Sequence, residues 1–286
     1  MFKQQHLNKK MNNKVVIITG ANGGIGKEAA KEIAKLGAKV YMACRSLDSA
    51  NKAREEIIKE TKNEKVFVLE LDLASVDSIN KFVKEFKKKE DRLDILINNA
   101  GITSRAKKLN DAGVEMTFAI NVLGHHYLTK LLIDVLEKSS PSRIINVASE
   151  YAGGLDLNDI NYDKRSYGTT AAYKQSKQAN RMLTREWARR ITDKNISVYS
   201  MTPGWVPNTR LFREQSTFNK VIIKTVGAVM GRSVEKGADT IVWLASSDKI
   251  GGSTGGFFRD RKELDCQFKN PEEEKRLWDI CENLLK

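Results

Sequence analysis

Short apolar, β-branched runs recur along the chain, each followed by a stretch in which apolar residues fall every three or four positions. The first run, KVVIIT at 14–19, opens into glycines and then into KEAAKEIAKLG, a strong helix former. The pattern repeats with KVYMAC, KVFVLELDL, LDILINNAG, RIINVAS, ISVYSMTPG and TGGFF as strands. Helices are predicted between them at 49–60, 75–89, about 111–137, 170–191 and 235–246. Six or seven buried strands alternating with helices predict an α/β fold, a doubly wound parallel sheet covered by helices on both faces in three αβα layers. In such sheets a ligand binds beyond the carboxyl ends of the strands, where the strand order reverses.

Composition narrows the choices. No composition break or proline-rich linker divides the 286 residues, so 14–286 is read as a single domain after a basic N-terminal extension at 1–13, with a substrate flap at about 203–235. The net charge of +13 suits nucleic acid, an anionic membrane or an anionic cofactor. It is scattered, however, and the densest run, KEFKKKEDR at 84–92, mixes signs like a solvated helix face, so no nucleic-acid partner is expected. Cys44, Cys266 and Cys281 are widely spaced without CxxC, which fits a reduced, cytoplasmic protein. His6, His125 and His126 lack metal-ligand spacing, so no metal is expected. The N-terminus has no apolar signal core and no window reaches the length of a transmembrane span. The amphipathic, basic segment 218–232 fits a peripheral membrane contact and a flap over an apolar pocket equally well.

The chemistry-bearing residues follow the strands. TGANGGIGK at 19–27 would let backbone N–H groups and a helix N-terminus approach a pyrophosphate. It fits two spacings, Gly20, Gly24 and Gly26 as TGxxxGxG or Gly20, Gly23 and Gly26 as GxxGxxG. After the second strand, where a carboxylate would bind the ribose hydroxyls of NAD, stand Cys44 and Arg45, and a guanidinium there favours the 2′-phosphate of NADP. Asp72 and Leu73 close the third strand, with Asp72 also suited to cap the next helix, and NNAG at 98–101 closes the fourth. Tyr173 and Lys177, four apart on a helix, share one stripe about 40° wide. Spacing alone suits catalysis and surface decoration alike.

Taken in order, TGxxxGxG, NNAG, Ser149, Tyr173-xxx-Lys177 and Pro203-Gly204 resemble the short-chain dehydrogenase/reductase superfamily over residues 14–260. CRS after the second strand and FAINVLGHHYLT at 118–129 resemble its retinol-dehydrogenase-like branch. LTREWA, MTPGW, GADTIVWLASS and FFRDRK are similar to an orphan dehydrogenase/reductase subgroup of that branch, member 12, whose substrate the resemblance does not supply.

The resemblance implies a Rossmann-type fold, an NADP(H) cofactor and a catalytic tetrad of Asn121, Ser149, Tyr173 and Lys177. Tyr173 would exchange a proton with the substrate oxygen, and Lys177 would lower its pKa and hold the nicotinamide ribose. Ser149 would orient the carbonyl, and Asn121 would position a water or else merely kink its helix. The cofactor would lie on Gly20, Asn22, Gly23, Gly24, Ile25, Gly26, Arg45, Asp72, Leu73, Asn99, Ala100, Gly101, Asn121, Tyr173 and Lys177. Pro203, Gly204, Val206 and Thr209 would close over the nicotinamide. Trp205, Phe212 and Phe218 would join Ser149 in an apolar substrate pocket, and the helices near 111–137 and 170–191 would serve a homodimer.

The function implied is an NADP(H)-dependent oxidoreductase moving a hydride between nicotinamide and an apolar carbonyl or alcohol substrate, an aldehyde, a ketone or a retinoid- or steroid-like molecule. Two alternatives stand beside it, a non-catalytic NADP(H)-binding redox sensor and a nucleotide-sugar epimerase. NNAG and the short tail after Pro203-Gly204 weigh against the epimerase, and the complete tetrad against the sensor.

Overall fold

The computed structural model describes residues 10–207, 231–248, 250–251 and 253–286. Strands β1 (Val15–Thr19), β2 (Lys39–Cys44), β3 (Val66–Glu70), β4 (Ile95–Asn98), β5 (Ser142–Val147), β6 (Ile196–Met201), β7 (Phe257–Arg259) and β8 (Lys262–Leu264) form one sheet in the order β3-β2-β1-β4-β5-β6-β7-β8. All neighbours pair in parallel except β7 and β8, which form an antiparallel hairpin. The order reverses between β1 and β4, so a crevice opens at their carboxyl ends.

Alternation along the strands feeds two cores. Val15 and Ile17 of β1 face one side, where they meet α3 (Val76–Lys89), α5 (Gly124–Glu137) and α6 (Thr169–Arg190) through Phe82, Leu132 and Met182. Val16 and Ile18 face the other, against α1 (Gly24–Lys35), α2 (Leu47–Thr61) and α7 (Val234–Ser246) through Ile33, Ile57 and Ile241. This is the three-layer αβα arrangement. Gly237 lets α7 come close, since a Cβ there would lie 2.8 Å from Val206 Cγ2.

The helix expected from about 111 begins later. Gly113 turns the chain at φ +74, Leu109 bridges Glu115, and the buried Glu115 carboxylate accepts the N–H groups of Thr117 and Phe118 to start α4 (Met116–Phe118). A π-helical stretch, Ala119–Leu123, joins α4 to α5. β7 overlaps the expected TGGFF strand, whereas β8, which completes the antiparallel hairpin, and α8 (Pro271–Asn283) were not among the expected elements. The strands of the hairpin are three residues each, too short for a period. In α8, Leu277 and Cys281 are buried and Trp278 meets Trp187 of α6 edge-on at 4.5 Å. Glu274 of α8 pairs with Arg185 and Arg189, and Glu282 with His126 and Lys130, so α8 lies along the helices expected to serve a homodimer. Among the described residues no helix is long and apolar enough to cross a membrane, and no group of three or more His, Cys, Asp or Glu side chains forms a metal site.

Candidate active site

The crevice holds a cleft of about 430 Å³, and its first wall is the loop between β1 and α1. Gly20 and Gly24 adopt φ +66 and +55, conformations that disfavour any residue with a Cβ. A Cβ on Gly26 would lie 2.3 Å from Asn99 Nδ2 and 2.6 Å from the Gly20 carbonyl oxygen. Gly23 is extended at φ 176, open to any residue, so the structure favours the TGxxxGxG spacing. The helices whose first turns line the cleft, α1 and α2, have no side-chain cap, whereas Ser75, Ser233 and Asn270 cap α3, α7 and α8. Uncapped N–H groups aimed into a cleft suit an anion. This cradle fits the diphosphate of a dinucleotide.

Thr19 ties that loop to the end of β4. Its hydroxyl accepts the N–H groups of Asn99 and Ala100, each at 2.9 Å, while Asn99 Nδ2 donates to the Thr19 carbonyl. The same hydroxyl meets His125 Nε2 at 2.9 Å. His125 Nδ1 lies 3.2 Å from the Asn121 carbonyl oxygen, which can only accept, so Nδ1 carries the proton and Nε2 accepts from Thr19. Burial pushes His125 down to about 3, so it stays neutral. Neither Thr19 nor His125 was among the expected site residues. The i, i+4 spacing of Asn121 and His125 was the available signal.

Most of the expected cofactor residues line the cleft. They are Gly20, Asn22, Gly23, Gly24, Ile25, Gly26, Arg45, Asp72, Leu73, Asn99, Ala100, Gly101, Tyr173, Lys177 and Pro203. Asn22 Nδ2 donates to Ser49 Oγ at 2.7 Å, bracing the glycine loop against α2, and Ser46 and Ser49 line the cleft beside the exposed Arg45. Asp72 does not cap α3, because Ser75 does; Asp72 Oδ1 instead accepts from the Ala74 N–H in a turn of its own. Asn121 lies behind the lining, in the π-helical stretch. Its amide bonds the N–H of Ile102 at 2.8 Å, the carbonyl of Ile102 at 3.1 Å and Ser176 Oγ at 3.1 Å.

A second cavity, about 690 Å³, opens beside the first and contains Ser149, Gly204, Trp205 and Val206. Thr103, Glu150, Tyr151, Thr169, Thr170 and Thr202 also line it and were not expected. They come from the loops after β4, β5 and β6 and from the start of α6, so no local motif marks them. Thr209, Phe212 and Phe218 lie outside the described residues.

Ile25, Tyr173 and Pro203 line both cavities. Ser149 stands with Tyr173 in the second cavity and pulls the phenol slightly down, and Ser149 Oγ accepts the Tyr151 N–H at 3.0 Å. Lys177 is 4% exposed, donates to the Val147 carbonyl at 2.7 Å and places Nζ 5.6 Å from the Tyr173 ring centre. Gly101 lies beside this pair, where a Cβ would make only ordinary contact, 3.8 Å from Lys177 Nζ and 3.5 Å from Asn121 Oδ1. Burial pushes Tyr173 up to about 12, against a smaller opposing pull from Ser149, and pushes Lys177 down to about 8. The expectation that Lys177 holds the phenol below its ordinary value is therefore not met in the cofactor-free chain, where desolvation of both groups dominates. The arrangement presents a protonated phenol at the junction of an anion-binding cleft and a largely apolar cavity.

A family model for short chain dehydrogenase matches residues 14–220. Retinol dehydrogenase 13 of Homo sapiens is 39% identical over 93% of this chain and 82% of its own length. Retinol dehydrogenase 14 of Homo sapiens is 38% identical over 96% of this chain and 87% of its own. Among solved structures, an uncharacterized protein from Mycobacterium Paratuberculosis superposes with a TM-score of 0.78 at 28% identity, covering 98% of this chain and 96% of that one. The RhlG/NADP complex of Pseudomonas aeruginosa shares the fold, with a TM-score of 0.70 at 23% identity over 92% of this chain and 98% of that one.

Proposed function

The chain belongs to the short-chain dehydrogenase family, on its retinol-dehydrogenase-like branch, and from that premise we propose an NADP(H)-dependent oxidoreductase acting on an apolar aldehyde, ketone or alcohol. One observation carries the reading. Tyr173, with Ser149 beside it in the second cavity and Lys177 close by, stands in the wall common to the two cavities. When bound, the dinucleotide supplies the carbon that gives or takes the hydride.

The chain's own residues do the rest. At neutral pH Tyr173 keeps its proton and can donate it to the carbonyl oxygen during reduction, after which the phenolate takes a proton back from solvent. In oxidation the phenol must first lose its proton to solvent, and the phenolate then takes the alcohol's hydroxyl proton. Ser149 shares the same oxygen position and orients it. Lys177, held by Val147 against the cleft floor, is placed to bind the nicotinamide ribose and to favour a phenolate when it carries its proton. Asn121 fixes Ile102 and Ser176 around that lysine and acts as a positioning residue.

Preference for NADP(H) is supported by Arg45, with Ser46 and Ser49 beside it at the uncapped start of α2. Asp72 is the carboxylate in the cleft lining, and it is engaged by the Ala74 N–H. An apolar substrate is supported by Ile25, Tyr151, Trp205 and Val206 in the second cavity, and by the names of the related retinol dehydrogenases.

The test is an NADPH-oxidation screen over apolar aldehydes, ketones, quinones and retinoids, run beside Tyr173→Phe. Turnover with at least one carbonyl is expected, falling about 10³-fold in the variant while NADPH affinity stays close to wild type. Near-normal turnover in Tyr173→Phe would sink the mechanism. Tight NADPH binding with no turnover on any carbonyl would favour the redox-sensor reading instead.

A further inference from the structure

Four charged side chains that take no part in proton transfer form a chain from Glu150, in the lining of the second cavity, to the Pro203–Trp205 turn. Glu150, which follows Ser149, accepts from Arg259 Nη1 at 2.6 Å. Arg259 Nε lies 3.9 Å from Asp260. Both Asp260 oxygens accept from Arg232 Nη2, at 2.7 and 2.6 Å. Arg232 then grips the cavity wall, with Nη1 donating to the Pro203 carbonyl at 3.4 Å and its backbone N–H to the Trp205 carbonyl at 2.8 Å. Its aliphatic stem fills the space beside Gly204, where φ is +70 and a Cβ would lie 2.7 Å from Arg232 Cδ. The guanidinium therefore has a carboxylate on one edge and the Pro203–Trp205 turn on the other.

The hairpin that presents Asp260 is strained. Asp260 and Arg261 adopt φ +51 and +63, where a two-residue connection ordinarily takes Asn-Gly because a Cβ is crowded there. Both residues here carry ion-pairing side chains, Asp260 to Arg232 and Arg261 to Asp239 of α7. Strain of this kind persists where the surroundings fix a residue whose placement matters. The Arg232 guanidinium also holds the Asp260 carboxyl below its ordinary range.

We infer that Arg232 and Asp260 are positioning residues for the Pro203–Trp205 wall, which they hold against both the cofactor cleft and the substrate cavity. Its kinetic consequence rests on the oxidoreductase reading, whereas its geometric consequence does not. Asp260→Gly gives the hairpin the residue its backbone prefers while removing the carboxylate, and Arg232→Lys keeps the charge but not the fork. Arg261→Gly is the control, relieving the same turn without touching the wall.

The first readout is acrylamide quenching of Trp205, taken as the difference between each protein and the same protein carrying Trp205→Phe. The second is the NADPH dissociation constant from nicotinamide fluorescence, with melting temperature alongside. In Asp260→Gly and Arg232→Lys, Trp205 quenching should rise about twofold and the NADPH dissociation constant about fivefold, with Asp260→Gly melting near wild type. KM for nonanal or another aldehyde found active should rise more than kcat falls, a split that a loss of stability alone would not produce. Arg261→Gly should leave all of these unchanged. Unchanged Trp205 quenching in folded Asp260→Gly would overturn the inference, and that variant decides if Arg232→Lys fails to fold. Should the wild-type protein bind neither NADPH nor NADH, the proposed function falls, while the quenching comparison still decides the role of Arg232 and Asp260.

Discussion

The cleft along β1, β2 and β4 and the cavity beyond the ends of β4, β5 and β6 meet at Ile25, Tyr173 and Pro203, but they are built from different materials. Backbone makes the cleft, through Gly20 and Gly24 at positive φ, Gly26 pressed against Asn99, and two uncapped helix starts. Side chains make the cavity, and they come from loops after β4, β5 and β6 and from the start of α6. A surface made of N–H groups can hold a diphosphate but has little means to choose among substrates. A surface made of separate side chains can change its shape residue by residue while the backbone cradle stays as it is. On the proposed reading, cofactor binding and substrate choice fall to differently built parts of one crevice, joined at Ile25, Tyr173 and Pro203.

The largest expected effect that sharpens this contrast falls on Lys177, at the floor of the cleft. Burial lowers it from 10.5 to about 8 in the folded chain, so between these values the unfolded chain binds the proton and the folded chain does not. Stability should therefore rise with pH across that window by about 3 kcal/mol, with no contribution to the slope below pH 8, where both states are protonated. Urea unfolding of the cofactor-free protein at pH 7.5 and 10 should show a rise that Lys177→Met lacks. An equal change in both proteins would mean that the ammonium is not buried as described.

Gly26→Ala comes next. The added methyl cannot fit between Asn99 Nδ2 and the Gly20 carbonyl without moving one of them, an overpacking worth about 1–3 kcal/mol. NADPH affinity measured by fluorescence titration should fall about 30-fold with no change in the ranking of carbonyl substrates. A change in that ranking would break the division between the two halves. Arg45→Ala should weaken NADPH about 10-fold and leave NADH nearly unaffected, measured as kcat/KM for each cofactor. Equal losses for both would remove the 2′-phosphate assignment. Trp205→Leu should do the reverse of Gly26→Ala, altering KM for bulky apolar carbonyls about fivefold while NADPH affinity holds. It is the smallest of the four and the most direct probe of the cavity.

The same contrast explains what could be read from the chain. The glycine loop, Arg45 and NNAG each sit at the end of a strand, so short-range position reveals them. Tyr173 and Lys177 instead share a helix face, a spacing that takes on meaning only beside those strand ends and the family resemblance. Strands β1 and β2 were legible for a related reason, since a buried parallel strand is a continuous apolar run. Glu150, Thr103 and Thr169 carry no such spacing, because only the folded sheet brings their loops together. The start of α4 was misread as an earlier helix because the segment before it is apolar at helical intervals, while Gly113 and the Glu115 cap act through φ and hydrogen bonds that periodicity does not encode. The pKa directions at Tyr173 and Lys177 were equally hidden. Proximity of a lysine to a tyrosine suggests an ion pair, and burial of both decides against it.

The last helix gives the molecule a private boundary. Trp278, Leu277 and Cys281 of α8 cover Trp187 and the neighbouring face of α6, and Glu274 and Glu282 tie down arginines and a histidine that would otherwise face outward. Substitutions within 271–283 that loosen this helix would uncover an apolar strip of α6 while leaving the linings of both cavities intact.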